Sequence, residues 1–150
     1  MKEYDVIKAF YDTLTAKRSG IPLMNHIDEG LDILDLLGAS DLVKAAFCIH
    51  PIVQNDEQVD VSWSEAFPLA LEYTHYANKY LCRPENDWID DVEKLYKFLG
   101  GSMSFDCKLM LLADKLQNRK DFMIAHYGTH QRSEQLKKYF DLWIHFLIGP

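Results

Sequence analysis

A chain of 150 residues with 48% hydrophobic side chains, among them eight Phe, eight Tyr and three Trp, has room for one domain and can fill a core, which excludes wholesale disorder. Sixteen basic against 23 acidic residues leave a net charge of −7, so the chain as a whole has no general electrostatic reason to bind nucleic acid or an anionic membrane. Cys48, Cys82 and Cys107 are odd in number and lack a C-x-x-C pairing, no apolar run opens the chain, and nowhere do the ~20 apolar residues of a membrane span occur; the expectation is a soluble, cytoplasmic protein with reduced thiols.

Apolar positions recur at helical spacing almost throughout and never alternate with period two for long, which predicts an all-α, single-domain helical bundle over 1–150. The first helix is expected over Glu3 to Ala16, with Tyr4, Ile7, Phe10, Tyr11 and Leu14 on one face, broken by Arg18-Ser19-Gly20. A second opens near Leu23, turns His26, Gly30, Ile33, Leu34 and Leu37 inward, and stops with Gly38 just past its end. Ser40 caps a third helix through Leu42, Ala45, Ala46 and Ile49 that ends at His50, because the residue before a proline is steered away from helical geometry and Pro51 follows. After a polar loop over Gln54 to Asp60, Ser62 and Glu65 read as a capping box for a helix through Phe67, Leu71 and Tyr76 to Leu81. Arg83-Pro84-Glu85-Asn86-Asp87 breaks the pattern; helices follow over Ile89 to Leu99, Phe105 to Phe122 and Arg132 to Leu147. No repeat or second core is visible, and self-association into a homo-oligomer is left open.

Three polar side chains fall where this spacing predicts an interior: His26, His50 and Asp114. A buried, unpartnered carboxylate costs several kcal/mol, so Asp114 needs a cation, an imidazole or a metal beside it. Asn118 lies one helical turn beyond Asp114 and shares its face. The competing reading is a hydrogen-bonded core cluster with no ligand. His75, His126, His130 and His145 read as packing or surface residues, the middle two because Gly128 between them disfavours a helix.

Order and context sharpen the reading. The segment Arg18-Ser19-Gly20-Ile21-Pro22-Leu23-Met24-Asn25-His26, the helix Ala45-Ala46-Phe47-Cys48-Ile49-His50 and the run Lys108 to Asn118, which contains Ala113-Asp114-Lys115-Leu116-Gln117-Asn118, occur in that order. Together they resemble the HD-domain superfamily of metal-dependent phosphohydrolases, in particular the RelA/SpoT-type alarmone hydrolase domains and their small stand-alone relatives. The resemblance implies a helical bundle in which His26, His50 and Asp114 bind a divalent metal, most commonly manganese in that subfamily. It further implies a nucleotide or other phosphorylated small molecule as substrate, contacted by Arg18, Lys108, Lys115 and Asn118; a solvated helix face is the competing reading for the two lysines.

The departure from the family pattern falls at the catalytic loop. Pro51 stands where the family has the Asp that follows its second His, and Gln54-Asn55 stand where a Glu-Asp pair handles the attacking water. Neither amide is a base near neutral pH, but Asp56 and Glu57 follow directly, and a two-residue shift of the loop would restore a carboxylate pair. Gln54, Asn55, Asp56 and Glu57 are therefore the candidate catalytic positions. Two functional readings follow: a phosphohydrolase or pyrophosphohydrolase acting on an alarmone-like nucleotide, and a catalytically degenerate relative that binds a nucleotide or a protein without turnover.

Overall fold

A computed structural model describes residues 1–86 and 89–149, and it is all-helical: no strand occurs among the described residues. Asp87, the last residue of the expected breaker, lies outside them. Helix α1 spans Lys2–Tyr11, α2 Met24–Leu36, α3 Asp41–Gln54, α4 Phe67–Lys79, α5 Val92–Leu99, α6 Phe105–Ala125 and α7 Ser133–Ile148. The buried apolar residues form one cluster, in which α3 packs on α1, α2, α4 and α6, while α6 packs on α2, α4 and α7. Helices α2, α3 and α6 thus touch one another pairwise, and that triangle holds the site.

Several boundaries differ from the sequence reading for identifiable reasons. Helix α1 stops at Tyr11 because Asp12 adopts a positive φ of 41°, and the chain then folds back on itself through an isolated Thr15–Pro22 bridge, leaving Leu14 exposed. In α2, Ile27 rather than Leu37 completes the buried face. The helix closes as expected at Gly38, whose φ of 70° lets Ala39 N–H reach the Leu34 carbonyl at 2.9 Å. The Ser62–Glu65 capping box does not form: the Ser62 hydroxyl donates instead to Asp60 at 2.6 Å, and α4 starts later, where Pro68 sits in its first turn. Leu71 is exposed, and Ala70, Tyr73 and Ala77 carry the inward face instead.

The largest difference is α3, which does not end at His50 but runs through Pro51 to Gln54. Ser40 caps it, accepting from Val43 N–H at 3.3 Å. A proline inside a helix removes one backbone donor, and burial of Ala46, Phe47, Ile49, Ile52 and Pro51 itself on the surrounding helices outweighs that loss.

Close approach of α2 to α3 depends on Gly30. A methyl group there would lie 2.2 Å from the Phe47 ring, and Phe47 is fully buried. Gly30→Ala is therefore expected to lose about 1–3 kcal/mol of stability despite the better helix propensity of alanine, a result that urea unfolding would read directly. Unchanged or increased stability would mean that the helices part easily at this point.

Candidate metal centre

His26 lies in the first turn of α2, His50 in the second half of α3 and Asp114 in the middle of α6. His26 Nε2 is 3.3 Å from His50 Nε2 and 3.4 Å from Asp114 Oδ1, and His50 Nε2 is 4.0 Å from the same oxygen. The three ligand atoms lie within 4.8 Å of one another, and the group can hold a metal ion.

Hydrogen bonds on the far side of each ring decide what the near side offers. Gln117 Nε2 donates to Glu29 at 3.1 Å and to Asp121 at 2.7 Å, and carboxylates require a donor, so the amide oxygen is the atom that meets His26 Nδ1 at 2.6 Å. His26 Nδ1 must then carry the proton, which leaves a lone pair on Nε2. For His50 the same result comes from the backbone. In an unbroken helix the Phe47 carbonyl would accept the N–H of residue 51, but Pro51 has none; His50 Nδ1 donates to that carbonyl at 2.6 Å instead. Pro51 thus frees the acceptor that orients His50. Two imidazole lone pairs and a carboxylate oxygen converge, with Asn118 Nδ2 donating to Asp114 Oδ1 at 2.8 Å. Two facing lone pairs repel unless a proton or a cation lies between them, so the donor set fits a metal, and two imidazoles with one carboxylate is a known divalent-metal set.

Burial sets the charges. His50 is 2% exposed, and desolvation, reinforced by neighbouring His26, holds its pKa down at about 3. For Asp114, burial acts to raise the pKa, but the Lys115 ammonium, with His26 and His50 behind it, outweighs burial and keeps the carboxyl at about 2. Lys115 Nζ stands 2.8 Å from Asp114 Oδ2, and the two form a buried ion pair. Burial acts to lower the Lys115 pKa, and Asp114 reverses this and raises it. Carboxylate and ammonium cancel, so the cluster without a metal is close to neutral.

A pH dependence follows. An imidazole with a folded pKa of about 3 and an ordinary value of 6.5 takes up a proton more readily when unfolded. The His50 contribution is complete above pH 6.5 and is lost as pH falls towards 3, at about 1.4 kcal/mol per pH unit where only the unfolded state is protonated. Asp114 acts in the same direction between its ordinary 3.8 and about 2. Urea unfolding of chelator-treated protein from pH 7 to pH 4 should show this slope, and His50→Gln should reduce it; equal slopes in the two proteins would contradict a buried neutral His50.

The metal group opens on a cavity of about 490 Å³. Of the residues singled out in the sequence, Arg18, Gln54, Asn55 and Asn118 line it with His26, His50, Pro51 and Asp114. The Gln54 amide donates to Asn78 at 3.0 Å and the Asn55 amide to the Pro51 carbonyl at 2.8 Å. Asp56 and Glu57 do not reach the cavity. Because α3 continues to Gln54, the chain turns only at Asp56, whose φ is 51°, and carries both carboxylates to a separate depression with Val53 and Val59. The loop shift that would restore a carboxylate pair is therefore absent from this fold. Lys108 is half-buried and outside the cavity lining. Lys115 is buried against the Tyr139 and Trp143 rings, so its charge serves Asp114 from inside the core rather than facing a substrate. His75 and His145 are exposed.

Gln117 and Asp121, which the sequence reading passed over, and His126 and His130, which it took for packing or surface residues, belong to this region. Gln117 orients His26, and Asp121, His126 and His130 line the cavity. Asp114, Gln117, Asn118 and Asp121 fall at i, i+3, i+4 and i+7 of α6, one continuous helix face, and that periodicity was the available signal. Among the described residues, Asp114 and Asp121 are the carboxylates on the cavity wall. Comparison of the chain with protein-family models, with curated proteins and with solved structures found no match.

Proposed function

We propose that the protein is an HD-type, metal-dependent phosphohydrolase or pyrophosphohydrolase acting on a small phosphorylated molecule of the alarmone-like nucleotide class, with manganese as its metal. The observation that carries this reading is the convergence of His26 Nε2, His50 Nε2 and Asp114 Oδ1, both rings having their Nδ1 protons committed elsewhere, on one wall of a cavity large enough for a nucleotide. A divalent cation in such a set supplies Lewis-acid polarisation of a phosphoryl oxygen and acidification of water. The protein's own part is to hold the two lone pairs and the carboxylate in place, to keep His50 uncharged by burial, and to offer Arg18 and Asn118 to the substrate from the same cavity. Asp121 is the cavity carboxylate free of the metal group, but it accepts from Gln117 at 2.7 Å and pairs with Lys120 at 2.7 Å.

A second reading has its own observation. Pro51 and the two locally bonded amides of Gln54 and Asn55 occupy the wall where a hydrolase needs carboxylates. On this reading the cavity binds a phosphorylated ligand without turning it over. Calorimetric titration with manganese, followed by a turnover screen of nucleoside di-, tri- and tetraphosphates with manganese present, separates the two. Metal binding abolished by His26→Ala together with phosphate release supports the enzyme; metal or nucleotide binding without release supports the binder; absence of both metal and nucleotide binding removes both readings.

A further inference from the structure

At the mouth of the cavity Arg18 and His130 meet across 112 positions of sequence, with Arg18 Nη1 2.9 Å from His130 Nε2. Both are held from behind. The Arg18 segment is tied by Ala16 N–H to the Ile21 carbonyl and Gly20 N–H to the Ala16 carbonyl, each at 2.8 Å. The His130 carbonyl accepts from the Ser133 hydroxyl at 2.6 Å, and the His130 ring accepts the Arg132 N–H on Nδ1 at 3.1 Å.

That last bond fixes the proton. A ring nitrogen that accepts a backbone N–H carries no hydrogen, so the proton of the His130 imidazole is on Nε2, the atom facing Arg18. Guanidinium nitrogens donate and never accept. Two N–H groups therefore point together with no acceptor between them, and protonating the ring does not supply one. In a chain with 23 acidic residues, Arg18 nevertheless has no carboxylate partner among the described residues. The carboxylates on the cavity wall are otherwise engaged, Asp114 by Lys115 and Asn118, Asp121 by Gln117 and Lys120.

We propose that Arg18 and His130 form an anion subsite at the cavity mouth that takes a phosphoryl group of a small ligand. An oxygen placed between the two nitrogens accepts both protons, its charge balances Arg18, and the remaining phosphoryl oxygens match the guanidinium fork. That an anion binds here is independent of the metal centre; that the anion is a phosphoryl group rests on the functional reading above.

Inorganic phosphate titrated into the chelator-treated full chain, followed by the backbone amide signals of Ser19 and Gln131, tests the subsite. Saturable binding is expected, weakened about tenfold or more by Arg18→Gln and by His130→Phe, partly restored by His130→Gln, which can still donate, and unchanged by His26→Ala. No saturable binding, or binding indifferent to both Arg18→Gln and His130→Phe, overturns the subsite. Loss of binding in His26→Ala alone would move the anion to the metal group and overturn it equally. Acetate binding as tightly as phosphate overturns the phosphoryl assignment. A manganese titration of the same preparation keeps the readings apart: phosphate binding by a protein that fails to take up manganese removes the metal centre and leaves the subsite standing.

Discussion

Asp114→Ala is expected to cost about 3–5 kcal/mol of folding stability and to abolish metal binding, whereas Asp114→Ala combined with Lys115→Met should recover most of the stability and none of the binding. Asp114 and Lys115 are 3% and 5% exposed, so removing the carboxylate leaves an ammonium in the core against Tyr139 and Trp143, which must carry an unpaired charge or give up its proton. Methionine keeps the length of the lysine stem and fills the same space without a charge. Urea unfolding of wild type, both single variants and the double variant closes the cycle, with manganese calorimetry on each. If Asp114→Ala lies within about 1 kcal/mol of wild type, the pair is not what neutralises this part of the core. Recovery of metal binding in the double variant would show that Asp114 is not a ligand.

Pro51→Asp should raise manganese affinity at least about tenfold, or ~1.4 kcal/mol, while lowering the stability of the metal-free protein. Pro51 is buried on the cavity wall next to His50, so a carboxylate there adds a hard oxygen donor and a negative charge to a cluster in which Lys115 already cancels Asp114. Without a metal that carboxylate is buried beside Asp114, and like charges held together in a core are unfavourable. The substitution also returns an N–H to position 51, which competes with His50 Nδ1 for the Phe47 carbonyl. Pro51→Ala separates the two effects, since it returns the N–H without the carboxylate; it should leave metal affinity unchanged or reduced. Equal gains from Ala and Asp would assign the effect to the backbone, and no gain from Asp would mean that a ligand at position 51 does not reach the metal.

How much of this was legible without coordinates differs from element to element. The close of α2 at Gly38 and the capping of α3 by Ser40 could be read directly, because a left-handed residue after a helix and a hydroxyl before one act through neighbours a few positions away. The end of α3 could not. A proline has a strong local preference against continuing a helix, and the burial of Pro51, Ile52 and the preceding turn on α1, α4 and α6 overrides it. Everything downstream of that extension moved with it, which is why Gln54 and Asn55 line the cavity and Asp56 and Glu57 do not.

By itself, then, the sequence determined the helical class of this protein and the inward placement of His50 and Asp114, because a 3.6-residue period and the cost of burying a charge are properties of short stretches and single side chains. Only the tertiary structure decided which atoms those residues offer. The proton on His26 is placed by Gln117 from 91 positions away, with Glu29 and Asp121 behind it; the proton on His50 is placed by a carbonyl that Pro51 leaves free; and Arg18 meets His130 from the other end of the chain. Lys115 shows the same limit in reverse: its helix position is plain, but whether its ammonium faces a ligand or Asp114 depends on the Tyr139 and Trp143 rings that α7 brings against it. Hydrogen-bond direction and charge pairing act over about 3 Å, and which groups come within that distance is set by how the helices pack, not by their order along the chain.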